Sequence, residues 1–251
     1  MHSRLTFVLL VLAWLCLPLC GEPHIVVIDP GHGGEHDSGT EKERTLSSSN
    51  NARTPAELLE KDLTLELSLE VEKQIQALAA AHPKTPLQCV LTRREDLNPD
   101  FAKRAEFCAS QARTPAAIVS IHFNASTNHR SLGTLAVIHN ARANANHARD
   151  EAFAKGLVAA ASSAVDDFLP DSKPMALIDD SRLHEGKGSN FFHQLSLHPK
   201  IKDVPKCFLE VEFIDRKDVE EKLLAKRKEA FPVIAKAIAE YLYAHCAAGG
   251  D

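Results

Sequence analysis

Residues 24–34 read HIVVIDPGHGG. The stretch opens as a short β-branched run, His24 to Asp29, with the pattern of a strand buried on both faces. It closes in a Gly-rich turn that holds a histidine, His32, between Gly31 and Gly33. A strand that must be covered on both sides needs helices above and below it, so the rest of the chain should supply them.

It does so in alternation. Thr54, Pro55 and Glu57 have the types of an N-cap, a first helical position and a capping box. Leu59, Leu63, Leu67, Val71, Ile75 and Leu78 then recur at helical spacing up to His82-Pro83. Strands are expected at 88–92 (QCVLT), 116–123 (AAIVSIHF), 133–139 and 207–214 (CFLEVEFI). Helices are expected at 101–113, 145–167 and 218–245, the last kinked or split by Pro232. Residues 35–53 and 171–205 have no clean period and read as loops. The alternation predicts an α/β fold: one domain with a twisted, mostly parallel sheet and helices on both faces.

The N-terminus carries Arg4, an unbroken apolar run from Phe7 to Leu15, and then Pro18, Cys20 and Gly21. This is the form of a secretion signal over 1–20, with the domain in 21–251. The run is short for a membrane anchor, which needs roughly 20 apolar residues. Lipid attachment through Cys20 is the alternative, although bulky Leu19 stands where a small residue is expected. The formal charge is −5 with no basic block, so no nucleic-acid partner is expected. Cys89, Cys108, Cys207 and Cys246 form no C-x-x-C pair; in an exported chain some could join as disulfides.

In open parallel sheets ligands gather at the carboxyl ends of the strands. His32 follows the first strand, His122 ends AAIVSIHF, and Glu210 lies within FLEVEFI, while Glu60 stands near the start of the long helix. Two imidazoles and a carboxylate can hold Zn²⁺ with one position open, and a further carboxylate can carry protons. On spacing alone Glu60 reads as an exposed helix carboxylate, and Glu210 and Glu212 share a strand face, so spacing does not choose between them. Arg93 to Asp96 reads as a solvated turn.

Four ordered blocks, IDPGHGG, LEKDLTLEL, VSIHFNAS and FLEVEFI, together with LTRREDL and FAKRAEF, resemble the zinc-dependent N-acetylmuramoyl-L-alanine amidases of the type 3 catalytic domain over nearly the whole mature chain. The resemblance implies His32, Glu60 and His122 as zinc ligands and Glu210 as the catalytic carboxylate. It implies hydrolysis of the amide between N-acetylmuramic acid and L-alanine in peptidoglycan, for wall remodelling or septum splitting, in the periplasm or cell envelope. The Ser-Asn that typically follows the family's Phe-Ile is Asp215-Arg216 here, and Glu212 stands where the family usually has Gly.

The alternative is a zinc peptidase or D,D-carboxypeptidase acting on the stem peptide. A metal-free wall-binding module would not need all four site residues. A serine penicillin-binding enzyme is suggested by Lys187-Gly188-Ser189, but no Ser has Lys three positions on. A monomer is expected, and an activator protein is implied for those relatives in which a segment between the second His and the catalytic Glu covers the zinc. In this chain that role would fall to 171–205, through Asp179, Asp180, His184 or Glu185. A plain loop is the favoured reading, because only Phe191, Phe192 and Leu195 offer an apolar docking stripe. Trimming 180–189 is then expected to change basal activity modestly.

Overall fold

The structure, a computed structural model, describes residues 22–34, 47–183 and 188–248. The secretion or lipidation signal expected in 1–20 lies outside the described residues. In chain order the main elements are β1 (His24–Pro30), α1 (Glu60–Ala81), β2 (Leu87–Leu91), α2 (Phe101–Ser110), β3 (Ala117–Asn124), β4 (Leu135–Ile138), α3 (His147–Asp166), β5 (Ile178–Asp179), α4 (Asn190–Ser196), β6 (Lys206–Phe213) and α5 (Arg227–Ala248). One sheet runs β2-β1-β3-β6-β4-β5. All neighbours are parallel except β4 and β6, so the expected mostly parallel α/β sheet is found.

The continuous apolar runs are covered on both faces. Val26 and Ile28 of β1, with Val119 and Ile121 of β3, face a layer built by α1, α3 and α5. Val27 and Ile118 face the opposite layer, where α2 and α4 contribute Ala105, Cys108, Phe191, Phe192 and Leu195. In α1 the expected stripe is buried at Leu63, Leu67, Val71 and Ile75.

Three expectations about the elements are corrected. The long helix begins at Glu60, not at Thr54. The Thr54 hydroxyl donates to Glu220 at 2.6 Å and Ala56 N–H donates to the same oxygen at 2.9 Å, so a distant carboxylate captures the turn that local capping signals would have made helical. Residues 171–205 contain β5 and α4, and Ser189 caps α4 by accepting from Phe192 N–H. In so short a helix, three apolar residues cannot establish a period. Finally, α5 runs through Pro232, and the break falls earlier, between the helical stretch from Lys217 to Leu224 and Arg227.

All four described cysteines are buried and free, against the expectation that some pair. Cys89, Cys207 and Cys246 lie in one layer and Cys108 in the other, and burial pushes each thiol up. No helix among the described residues is long and apolar enough to cross a membrane.

Candidate metal centre

The turn after β1 is costly to make. His32 has φ 61°, Gly33 127° and Gly34 98°, three successive residues in a region that L side chains rarely adopt. A non-glycine residue persists there only when its surroundings over-determine it. Two buried guanidiniums do so. Arg104 donates to the carbonyls of Pro30 at 3.0 Å and His32 at 2.7 Å. Arg93 donates to the carbonyls of Pro30 at 3.0 Å, Gly31 at 2.9 Å and Lys61 at 2.8 Å. The turn and the first residues of α1 are thus strapped together.

Arg93 is 3% exposed, so the solvated-turn reading is corrected at Arg93 and holds for Arg94, Glu95 and Asp96, which are exposed. Asp96 also belongs to this strapping, accepting from Gly34 N–H and pairing with Lys61 Nζ, both at 2.7 Å. Arg93 and Arg104 stand in LTRREDL and FAKRAEF, two of the blocks on which the resemblance rests, yet nothing in their local spacing marks them as buried.

Arg104 is itself balanced by Asp29 at 2.7 Å. Burial works to raise the Asp29 carboxyl, but Arg104 and the hydroxyls of Ser120 and Thr92 outweigh it and hold the group below its ordinary value.

Three side chains from separate elements meet above this base. His32 Nε2 and His122 Nδ1 each lie 3.1 Å from Glu60 Oε1, and the two rings meet edge to face with centroids 4.9 Å apart. The potential ligand atoms of His32, Glu60 and His122 all fall within 4.8 Å of one another. Glu60 is 1% exposed rather than solvated. Its Oε2 accepts from Ala52 N–H at 2.9 Å and its Oε1 from Phe123 N–H at 3.2 Å. Burial would raise its carboxyl; the neighbouring His32 and His122 prevail and lower it.

The outer atoms fix which nitrogens are bare. His32 Nδ1 faces the Ser48 carbonyl at 3.0 Å and the Ser48 hydroxyl at 2.9 Å; the carbonyl only accepts, and the hydroxyl donates its own proton to Asn51 Oδ1 at 3.1 Å, so Nδ1 carries the proton. His32 Nε2 is then a lone pair, sealed from solvent and without a hydrogen-bond partner. On His122, Nε2 lies 3.1 Å from Ser120 Oγ, and that hydroxyl donates to Asp29 Oδ2 at 2.6 Å. Nε2–H therefore donates to Ser120, and Nδ1 points bare toward Glu60. Buried lone pairs facing a carboxylate oxygen need a cation between them. Two imidazole nitrogens and a carboxylate suit Zn²⁺ with one position left open, and partners behind each imidazole are usual for such ligands.

Gly31 is required by the same packing. A Cβ there would stand 2.4 Å from Cε1 of His122. Gly31→Ala is expected to displace the His122 ring, cost about 1–3 kcal/mol in stability and lower metal content. Elemental analysis alongside thermal unfolding checks this, and wild-type values in both would refute the packing argument.

Glu210 lies opposite His122 in the parallel β3–β6 register. It is partly exposed, makes no hydrogen bond to the described residues, and is pushed up to about 7, first by burial, with His122 opposing and Glu60 adding to the rise. Glu212 is fully buried and spent. Its Oε1 accepts from Gly133 N–H at 2.7 Å and Phe213 N–H at 2.8 Å, and its Oε2 accepts from the Ser172 hydroxyl. The β3–β6 register shifts between His122 and Asn124, just past Glu210, and the environments of the two glutamates part there. Of these two glutamates, Glu210 is the one left free to exchange a proton beside the cluster.

Asp179 and Asp180 cannot cover the cluster. β4 is antiparallel to β6, with Leu135 beside Glu210 and Val137 beside Phe208, and β5 follows β4 away from the site. Asp180 is 0% exposed and binds His139 Nδ1 at 3.0 Å, Asn140 N–H at 2.8 Å and Ser189 N–H at 2.9 Å. Trimming 180–189 would remove this buried anchor, so the modest effect expected from the sequence gives way to a structural one. His184 and Glu185 lie outside the described residues.

A family model described as N-acetylmuramoyl-L-alanine amidase matches residues 26–243. The N-acetylmuramoyl-L-alanine amidase AmiC of Neisseria meningitidis serogroup B is 27% identical over 248 residues, covering 88% of this chain and 53% of AmiC. The chain thus spans about half the length of that curated relative. Among solved structures, the N-acetylmuramoyl-L-alanine amidase of Clostridium difficile 630 superposes with a TM-score of 0.62 at 18% identity, covering 92% of this chain and 100% of the other. The catalytic domain of CwlV from Bacillus (Paenibacillus) polymyxa gives 0.59 at 22%, covering 87% and 95%. The last two share the fold.

Proposed function

The chain belongs to the N-acetylmuramoyl-L-alanine amidase family, and from that premise we propose that it cleaves the amide between N-acetylmuramic acid and L-alanine of peptidoglycan as a Zn²⁺ hydrolase. The observation that carries the metal reading is the sealed, bare Nε2 of His32 facing Glu60 Oε1 beside His122 Nδ1. His32, Glu60 and His122 would hold the ion. When bound, Zn²⁺ supplies Lewis acidity, polarising the amide carbonyl and bringing water toward a pKa of ~7.

The chain's own groups do the rest. The Ser48 carbonyl and the Ser120–Asp29 pair hold both imidazoles in the tautomers that leave the inward nitrogens free. Glu210, with a carboxyl near neutrality, takes a proton from the attacking water and passes it to the departing L-alanine nitrogen. The same proposal sets the protein outside the cytoplasmic membrane, where this substrate lies, as a monomer in wall remodelling or septum splitting. An activator protein belongs to this proposal only if it acts elsewhere than through Asp179 or Asp180.

Mass spectrometry of products from purified peptidoglycan, with and without a chelator, tests the reaction. An amidase frees intact stem peptide and stops on chelation; release of D-alanine alone would replace it with a carboxypeptidase. His32→Ala and His122→Ala are each expected to lose bound zinc and activity together. Full zinc in either purified variant would sink the ligand set.

A further inference from the structure

A cleft of about 560 Å³ opens beyond the ends of β3 and β6, lined by Pro55, His129, Arg130, Asp215, Arg216, Lys217 and Asp218. Its walls are the continuations of the site itself. Pro55 lies in the turn that leads into Glu60, His129 and Arg130 follow His122 beyond the end of β3, and Asp215 is the fifth residue after Glu210. The last two segments leave the sheet at the carboxyl ends of β3 and β6, the edge that carries the cluster. The fifth residue along lies within about 17 Å at full extension.

The walls are held in place before any ligand arrives. His129 has φ 53°, and its Nδ1 lies 2.8 Å from Asp215 Oδ2. Arg216 donates to the Arg130 carbonyl at 3.0 Å, so the loops after β3 and β6 are stitched together. The far end of the 125–133 loop is pinned where Gly133 N–H donates to Glu212.

The charges in this cleft do not cancel evenly. Asp215 is covered, its side chain 6% exposed; its Oδ2 engages His129, and its Oδ1 is buried away from solvent without a hydrogen-bond partner. Arg216 and Asp218 satisfy each other through two hydrogen bonds. Lys217 meets Glu221 only across 3.6 Å on an exposed surface, where a pair is worth little. The Arg130 guanidinium is exposed and has no ion-pair or hydrogen-bond partner among the described residues. The open face therefore carries one uncompensated cation, Arg130, within a chain of formal charge −5. A planar guanidinium with its donors free is suited to a carboxylate, which it can bind by two parallel hydrogen bonds.

We infer that this cleft is a subsite for a free carboxylate of the peptidoglycan stem peptide, two to four residues beyond the scissile amide, with Arg130 as its anchor. Four extended residues span about 14 Å, within the reach set by the chain between Glu210 and Asp215. The inference rests on the amidase reading and deepens it. It concerns the Asp215-Arg216 pair that replaces the family's usual Ser-Asn: Asp215 and Arg216 shape the wall, and Arg130 binds.

Steady-state hydrolysis of two soluble muramyl peptides tests it, one with free stem carboxylates beyond L-alanine and one with those carboxylates amidated. Wild type is expected to show a KM about tenfold lower for the free acid. Arg130→Ala, which keeps the carbonyl that Arg216 uses, is expected to raise that KM about tenfold, to leave kcat within about twofold and to erase the preference. Added salt should weaken the preference in wild type only. Equal KM values for the two substrates in wild type, or an equal effect of Arg130→Ala on both, would overturn the subsite while leaving the amidase reading intact. No hydrolysis of either substrate would overturn both.

Discussion

Glu210→Gln is expected to lower kcat by about 10³-fold while the protein keeps its fold and its metal. The amide is nearly isosteric with the carboxylate but cannot take a proton from water. Glu210 makes no hydrogen bond to the described residues, so no structural bond is broken by the change. Glu212→Gln provides the contrast. That carboxylate accepts from Gly133, Phe213 and Ser172, so the amide nitrogen would meet donors where an acceptor is needed. Its expected effect is on stability, about 1–3 kcal/mol, with kcat changed far less. Turnover, elemental analysis and thermal unfolding on the two variants separate the roles. If Glu210→Gln stays active and Glu212→Gln does not, the proton carrier has been assigned to the wrong glutamate.

Arg104→Met is expected to be the most damaging change away from the reacting groups. It leaves Asp29 buried with its chief counter-charge gone, and it strips donors from the carbonyls of Pro30 and His32. Removing one partner of such a pair costs about 3–5 kcal/mol. For a chain of this length each kcal/mol moves Tm by about 2–4 °C, so a fall of about 10 °C is anticipated. Metal affinity should fall as well, because the left-handed conformation of His32 loses part of its support.

The pH dependence follows from Asp29, whose folded pKa is lowered. Its contribution is fully present above the unfolded value of about 4 and is lost as pH falls through the lower folded value. Wild type should therefore lose this stability only in acid, and Arg104→Met should lack most of it at neutral pH. Differential scanning calorimetry between pH 3 and 7 reads the difference. Parallel Tm curves for the two proteins throughout that range, separated by less than about 2 °C, would remove the Asp29–Arg104 pair from the account.

The alternation of apolar strands with helical stripes is a local property, and it was enough to determine the layered, mostly parallel sheet. Ile25 to Ile28 must be covered on both faces wherever the chain goes, and Leu63, Leu67, Val71 and Ile75 must share one side of a helix. The same local logic set His32 and His122 at strand ends. The blocks around Glu60 and Glu210 could be matched to a family, although period alone left Glu60 on a solvated surface and Glu210 level with Glu212.

What only the tertiary structure decided depends on partners far away in sequence. Thr54 loses its capping role to Glu220, and Arg93 and Arg104 leave solvent to hold the carbonyls of residues 30–32. Glu212 is occupied by Gly133 and Ser172, which leaves Glu210 as the free carboxylate beside His122. Asp180 is carried away from the cluster because β4 reverses direction against β6. A polar side chain goes to whichever buried donor or acceptor lacks a partner, and that choice exists only once distant segments have been brought together.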